Sequence, residues 1–126
     1  MSDTFNLSGD FRGAIVNIKS TLREVQQSVG DIRTQDSAAQ ADLKALIQQL
    51  SQALEKAPHQ KEEAAQAVAQ TAQSLVQQAA VEKPNKTMLR ITGEGLKQAA
   101  QNLADVMPTV LTIATQIVAT ITRLTG

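Results

Sequence analysis

Few residues of this chain belong to types that perform chemistry, and the sequence does not group them. His59 is the only histidine among 126 residues, and it follows Pro58 in a predicted turn with no second type of metal ligand nearby. There is no cysteine, so a thiol nucleophile, a thiolate zinc site and a disulfide are all excluded. We interpret His59 as a solvated turn residue without a metal-binding or catalytic role.

Carboxylates and glycines form the remaining candidate motifs. Asp31 and Asp36 bracket a predicted loop, and Glu62 and Glu63 open a predicted helix, where carboxylates commonly act as caps or as partners of the helix dipole. Acid–base catalysis would require them to converge in one cleft. The Gly93-Glu94-Gly95 stretch lacks the third glycine and the preceding strand of the dinucleotide-binding fingerprint. No Lys-Ser or Lys-Thr pair follows it, as one would in a phosphate-binding loop. We therefore expect no enzyme activity, no cofactor and no small-molecule substrate.

Composition narrows the function classes further. Twelve basic and twelve acidic residues give a formal net charge of zero, whereas proteins that bind nucleic acid carry a basic excess or a basic stripe. Aromatic residues make up 2% of the chain and hydrophobic residues 42%, which predicts an aliphatic core. The start Met1-Ser2-Asp3-Thr4 has neither the basic end nor the apolar run of a secretory signal, so we expect a cytoplasmic protein. From the charge balance we expect that it binds no nucleic acid.

Apolar residues recur at helical spacing through most of the chain. They alternate steps of three and four residues, which places them on one face of a helix. Such rows occupy residues 14–32, 37–57 and 62–80, and the spacing of Ser37 and Gln40 is that of a capping box. We predict an all-α fold, a four- or five-helix antiparallel bundle over residues 14–126. A short extended segment over residues 1–13 precedes it.

The last third of the chain carries one helical stripe, from Leu89 to Leu124, that passes through Pro108. Proline removes a backbone donor and clashes with the preceding turn, so it either kinks a continuous helix or begins a fifth one. Gly93 and Gly95 lower the helix propensity, and they mark either a close helix crossing or a local break. The sequence leaves both pairs of alternatives open.

The segment between Asp105 and Arg123 has no charge and is apolar over most of its circumference. We expect it to form the central helix of the bundle, because a helix that is apolar nearly all round is usually buried. Two alternatives are a helix that inserts into or lies on a membrane after release from the bundle, and an obligate oligomer interface. The candidate residues for these alternatives are Val110, Leu111, Ile113, Ile117, Val118 and Ile121.

The amino-terminal segment holds both phenylalanines of the protein, one on each side of Ser8-Gly9-Asp10. Alternation of apolar and polar residues there is typical of a short strand, and Gly9-Asp10 is typical of a turn. One interpretation is a lead-in whose phenylalanines dock on the bundle. The other is an extended segment that pairs with a second copy or with a partner's strand. The candidate interaction residues are Phe5, Leu7, Phe11 and Ile15.

The stretch from Phe5 to Ile18, FNLSGDFRGAIVNI, resembles the openings of short bacterial proteins, many of them cyanobacterial, that are associated with conflict or signalling systems. It is also similar to the short Gly-Asn-Phe amyloid-type signalling motifs of such systems. Some of those motifs partner helical, membrane-active cell-death domains. The resemblance covers this segment and implies a helical protein in a bacterial conflict or signalling setting.

These observations predict a non-enzymatic interaction or assembly protein. It would act through helix–helix contacts and N-terminal strand pairing, with a protein partner or with itself as a homo-oligomer. The alternative is a membrane-active helical effector of the pore-forming or cell-death type, in which the helix over residues 108–125 inserts into the membrane.

Overall fold

The computed structural model describes the backbone from Ser2 to Thr125 and the side chains from Val16 to Thr125. Within these limits the chain is helical and contains no strand, so the predicted all-α bundle is confirmed. A 3-10 turn, His59–Lys61, precedes the third helix. The helices are α1 Ser2–Gly30, α2 Ser37–Leu54, α3 Glu62–Ala79, α4 Lys86–Gln101 and α5 Pro108–Thr125.

Helix α1 begins at Ser2, so from this residue onward the extended conformation predicted for residues 1–13 is wrong. The physical reason lies in competing periodicities. The strand-like alternation covers only four residues, whereas apolar residues at positions 7, 11 and 15 extend the helical row of α1 toward the amino terminus. A glycine inside a helix costs about 1 kcal/mol, which a long apolar row can outweigh. The side chains of the candidate interaction residues, Phe5, Leu7, Phe11 and Ile15, lie outside the described part of the chain.

Side-chain caps fix where two of the helices begin. Asp36 Oδ1 accepts a hydrogen bond of 2.9 Å from the Ala39 backbone N–H, so Asp36, rather than Ser37 of the predicted capping box, is the N-cap of α2. The Asn85 side chain likewise accepts from the Met88 N–H at 3.0 Å and caps α4. Each cap satisfies a backbone donor that has no partner within its helix.

The helices form a closed ring around one core. Going round it, α1 packs on α2, α2 on α5, α5 on α4, α4 on α3, and α3 on α1. The side chain of Gln26 reaches the carbonyl oxygen of Lys44, and that of Gln40 reaches the carbonyl oxygen of Val29, so α1 and α2 run antiparallel. In contrast, α1 and α3 run in the same direction, because Asn17 shares a crevice with Gln66 while Glu24, further along α1, contacts Gln73. A ring with an odd number of helices cannot alternate throughout, so one neighbouring pair must be parallel.

The structure decides between the alternatives for Pro108 and between those for the two glycines in the last third of the chain. Helix α4 ends at Gln101 and α5 starts at Pro108, so the proline begins a fifth helix. It occupies the first helical position, where its missing N–H would have no intrahelical partner in any case. Helix α4 runs unbroken through Gly93 and Gly95. A Cβ atom on Gly93 would lie 3.2 Å from Val118 Cγ1, so this glycine marks a close crossing of α4 and α5.

The part of the core that the structure describes is aliphatic, as the composition predicts. Among the side chains of Val16 to Thr125, none that is polar or charged is buried. Each of the five helices contributes a row of buried Leu, Ile, Val or Ala to the same cluster. The cohesion of the bundle therefore comes from apolar burial, at about 25 cal/mol for each Å² removed from water.

Candidate interaction surface

The side chains singled out for possible chemistry lie apart from one another. His59 is exposed, and its Nδ1 atom is 3.3 Å from Oε2 of Glu62 at the start of α3. Asp36 caps the other end of α2, about 27 Å away along an 18-residue helix. In the described part of the chain, no group of three or more His, Cys, Asp or Glu side chains is placed to hold a metal ion. The candidate carboxylates therefore share no cleft.

Helix α5 is a member of the ring with an exposed outer face, so the prediction of a central helix is wrong, but its candidate residues line the core. Val110, Ile113, Ile117 and Ile121 are buried, and Leu111 and Val118 are half-buried and pack against the same cluster. Among the helices of the described chain, none is long and apolar enough to cross a membrane.

The outer face of α5 is rich in threonine, and most of these hydroxyls bond within the helix. Four of them donate to the backbone carbonyl four residues earlier, at 2.8 to 2.9 Å; they belong to Thr115, Thr120, Thr122 and Thr125. The only side-chain donor of each of these residues is therefore already used within the helix. The face therefore offers few free donors to a partner, and it carries no charge before Arg123.

Five large apolar side chains between Val16 and Thr125 are exposed, and two of them lie on one helix, α4. Met88 is 45% exposed and Ile91 is 58% exposed. They are three residues apart, and the exposed Gly95 follows four residues later, so the three share one outward face. A Cβ atom on Gly95 would contact only Thr71 Cγ2, at 3.8 Å. We call Met88, Ile91 and Gly95 the α4 stripe.

The surface of α3 beside the α4 stripe is uncharged. Between residues 64 and 81 there is no charged residue, and Thr92 Oγ1 of α4 donates to Gln78 Oε1 of α3 at 3.0 Å. The exposed positions on the outer side of α3 are Ala67, Gln70, Ser74 and Gln77. An exposed apolar stripe beside a neutral surface resembles the centre of a protein interface, where charged residues are depleted.

The α4 stripe was not predicted from the sequence, although the sequence contains a signal for it. The core row of α4 contains Leu89, Leu96 and Ala100, and Ile91 lies about 200° around the helix from Leu89 at 100° per residue. An apolar residue opposite the core row must be exposed unless a further element covers it.

Comparisons with protein-family models, with curated proteins and with solved structures found no match for this chain.

Proposed function

We propose that this chain is a non-enzymatic assembly protein that binds a second copy of itself through the α4 stripe. The carrying observation is the exposure of Met88 and Ile91 on a bundle in which most other large apolar side chains from residue 16 onward are in the core. Burying one such side chain fully contributes about 1.5 to 3 kcal/mol of favourable free energy, so a partner that covers it gains binding energy.

The chemistry of the α4 stripe suits a helix–helix contact. Methionine is flexible and adapts to an opposing surface. Gly95 has no side chain, so a partner helix can approach the α4 backbone closely at that position. Together the three residues supply two apolar side chains and a shallow depression, and an identical stripe can interdigitate with them.

Electrostatics favour a second copy as the partner. Two copies that meet through the same patch present identical charges to each other, so a charged patch would repel itself. The outer face of α3, next to the α4 stripe, carries no charge between residues 64 and 81. A two-fold contact that includes both helices therefore brings few like charges together.

The membrane-effector alternative requires α5 to leave the bundle. That step would expose the core side chains Val110, Ile113, Ile117 and Ile121 and open the closed ring of helices. At about 1.5 to 3 kcal/mol for each side chain, the cost approaches the whole stability of a small domain. We therefore do not adopt this alternative, and strand pairing by the amino terminus loses its basis because α1 is helical from Ser2.

Sedimentation velocity tests the proposal. The native chain should show a concentration-dependent shift from one chain to two, and the Met88→Lys/Ile91→Lys variant should remain monomeric. Both positions are exposed, so the variant should fold normally. As a matched control, Ala45→Lys/Gln48→Lys adds the same charge at two exposed positions of α2 with the same spacing and should self-associate like the native chain. Monomeric native protein at every concentration would contradict the proposal.

A further inference from the structure

A groove of about 360 Å³ runs between α4 and α5, on the side of α4 that faces away from the α4 stripe. Its floor is apolar, formed by Leu75, Leu89, Val118 and Ile121. The volume falls within the range of small-molecule sites, which runs from about 300 to 1,000 Å³. We call it the α4–α5 groove.

The wall of the groove that α4 contributes is cationic, and its unpaired charges lie at one end. Lys97 Nζ lies 3.6 Å from Glu94 Oε1, so the charges at that end of the groove are paired. Lys86 and Arg90, at the other end, have no ion-pair partner in the described part of the chain. They are four residues apart and stand on the same face of α4. Free positive charge is therefore concentrated at one end of the groove.

The neighbouring groups at this end do not neutralise these two cations. The amino end of α4 meets the carboxyl end of α5 here, and their helix dipoles carry opposite partial charges that offset each other. Thr122 and Thr125 also line the groove, but their hydroxyls donate to the carbonyl oxygens of Val118 and Ile121. An anion at this end would be held by the side chains of Lys86 and Arg90 alone.

The length of the groove fits a linear chain. Lys86 and Lys97 are eleven residues apart, which corresponds to about 16 Å along the helix. A partner helix with regularly spaced acidic residues would need free cations along the whole wall, yet the cation at the far end is already paired. A molecule with one anionic head and one hydrocarbon tail matches this distribution of charge.

We propose that the α4–α5 groove binds a single-chain anionic amphiphile. Lys86 and Arg90 hold its carboxylate, and its hydrocarbon chain lies over Leu89, Val118 and Ile121 toward the Glu94–Lys97 pair. The guanidinium of Arg90 can form two parallel hydrogen bonds to a carboxylate. This site is separate from the α4 stripe and goes beyond the proposed assembly function.

Laurate, titrated into the full chain below the concentration at which it forms micelles, tests the proposal. Methyl NMR should show saturable shifts at Leu89, Val118 and Ile121. Dodecyltrimethylammonium, which has a tail of the same length and a cationic head, should bind at least about tenfold more weakly, a difference of about 1.4 kcal/mol. Equal affinity for the two amphiphiles, or laurate shifts confined to other methyl groups, would overturn the proposal.

Charge-reversal variants localise the head group. Lys86→Glu/Arg90→Glu should weaken laurate binding about tenfold or more, since attraction is replaced by repulsion. Arg33→Glu/Lys44→Glu makes the same change in net charge at exposed positions away from the groove and should bind laurate like the native chain. Thr122→Trp, which fills the groove from its exposed rim, should abolish binding while melting like the native protein.

A competition experiment with vesicles distinguishes a free anionic amphiphile from an anionic lipid in a membrane. Phosphatidylglycerol vesicles should compete poorly with laurate, because a two-chain lipid held in a bilayer cannot lay its tail along the groove. Binding to these vesicles without any binding of laurate would overturn the proposal. Undiminished laurate binding by Lys86→Glu/Arg90→Glu would do the same.

Discussion

Gly93 of α4 lies against Val118 of α5 so closely that a Cβ atom on the glycine would be 3.2 Å from Val118 Cγ1. The absence of a side chain at Gly93 sets the spacing of these two helices. Gly95, two residues later, has much more room, because the nearest atom to its Cβ position is Thr71 Cγ2 at 3.8 Å.

The two glycines should respond differently to alanine. Gly95→Ala should raise the free energy of unfolding by about 0.5 to 1 kcal/mol, since alanine favours the helix and meets only ordinary contacts. Gly93→Ala should lose most of that gain to the contact with Val118, and Gly93→Val should cost about 1 to 3 kcal/mol. Urea unfolding of the three variants measures the order. A Gly93→Val protein as stable as the native chain would show that α4 and α5 do not cross closely here.

Core and turn positions should differ clearly in the cost of truncation. Leu22→Ala and Leu50→Ala should each lower the free energy of unfolding by about 2 to 5 kcal/mol, because both side chains are buried and alanine leaves a cavity. His59→Ala should cost less than about 1 kcal/mol, because the imidazole is 59% exposed and leaves no core cavity when it is removed. Chemical denaturation provides the comparison, and an equal cost at His59 and Leu50 would contradict the assigned core.

Asp36 should stabilise the bundle mainly as a helix cap. Its Oδ1 atom accepts from the Ala39 N–H, and its Oδ2 atom lies 3.5 Å from Arg123 Nε. Asp36→Ala should cost about 1 kcal/mol, whereas Asp36→Asn, which keeps the cap and removes the charge, should cost about half as much or less. Thermal unfolding at low and high salt separates the two contributions. If Asn proves as costly as Ala, the ion pair with Arg123 dominates.

A charge on the inner face of α5 should break the fold. Ile117 is fully buried, and an unpaired charge there costs several kcal/mol, comparable to the stability of a domain of this size. Ile117→Lys should therefore give unfolded or aggregated protein, while Thr112→Lys, on the exposed face, should melt close to the native chain. Circular dichroism in detergent-free buffer distinguishes them. A normally folded Ile117→Lys protein would show that α5 is not part of the core.

Helical periodicity predicted most of the fold because each apolar row is long and keeps its spacing. Local sequence rules could not choose between two structures where one residue is compatible with both. Pro108 is compatible with a kink and with a first helical position, and only the packing of α5 onto α2 and α4 decides between them. Asp36 and Ser37 are both good N-caps, so the start of α2 could be placed only to within a residue.

The order of helices around the ring and the α4 stripe were not predictable in the same way. Ring order depends on which faces fit together across the core, and the sequence does not encode such pairings locally. The exposure of Ile91 was not predicted, because an apolar residue in an amphipathic helix normally belongs to the core. Its angle to Leu89 places Ile91 on the outer face instead.

Disulfide cross-linking tests the assembly claim most directly, since the native chain has no cysteine. A single Ile91→Cys substitution places one thiol at the centre of the α4 stripe. In a two-fold contact whose axis passes close to this position, the two Cα atoms come within the separation of about 4.4 to 6.8 Å that a disulfide needs. Ala41→Cys, at an exposed position on α2, is the matched control. We expect rapid covalent dimerisation of Ile91→Cys under mild oxidation and slow dimerisation of Ala41→Cys. Equal rates for the two variants would contradict assembly through the α4 stripe.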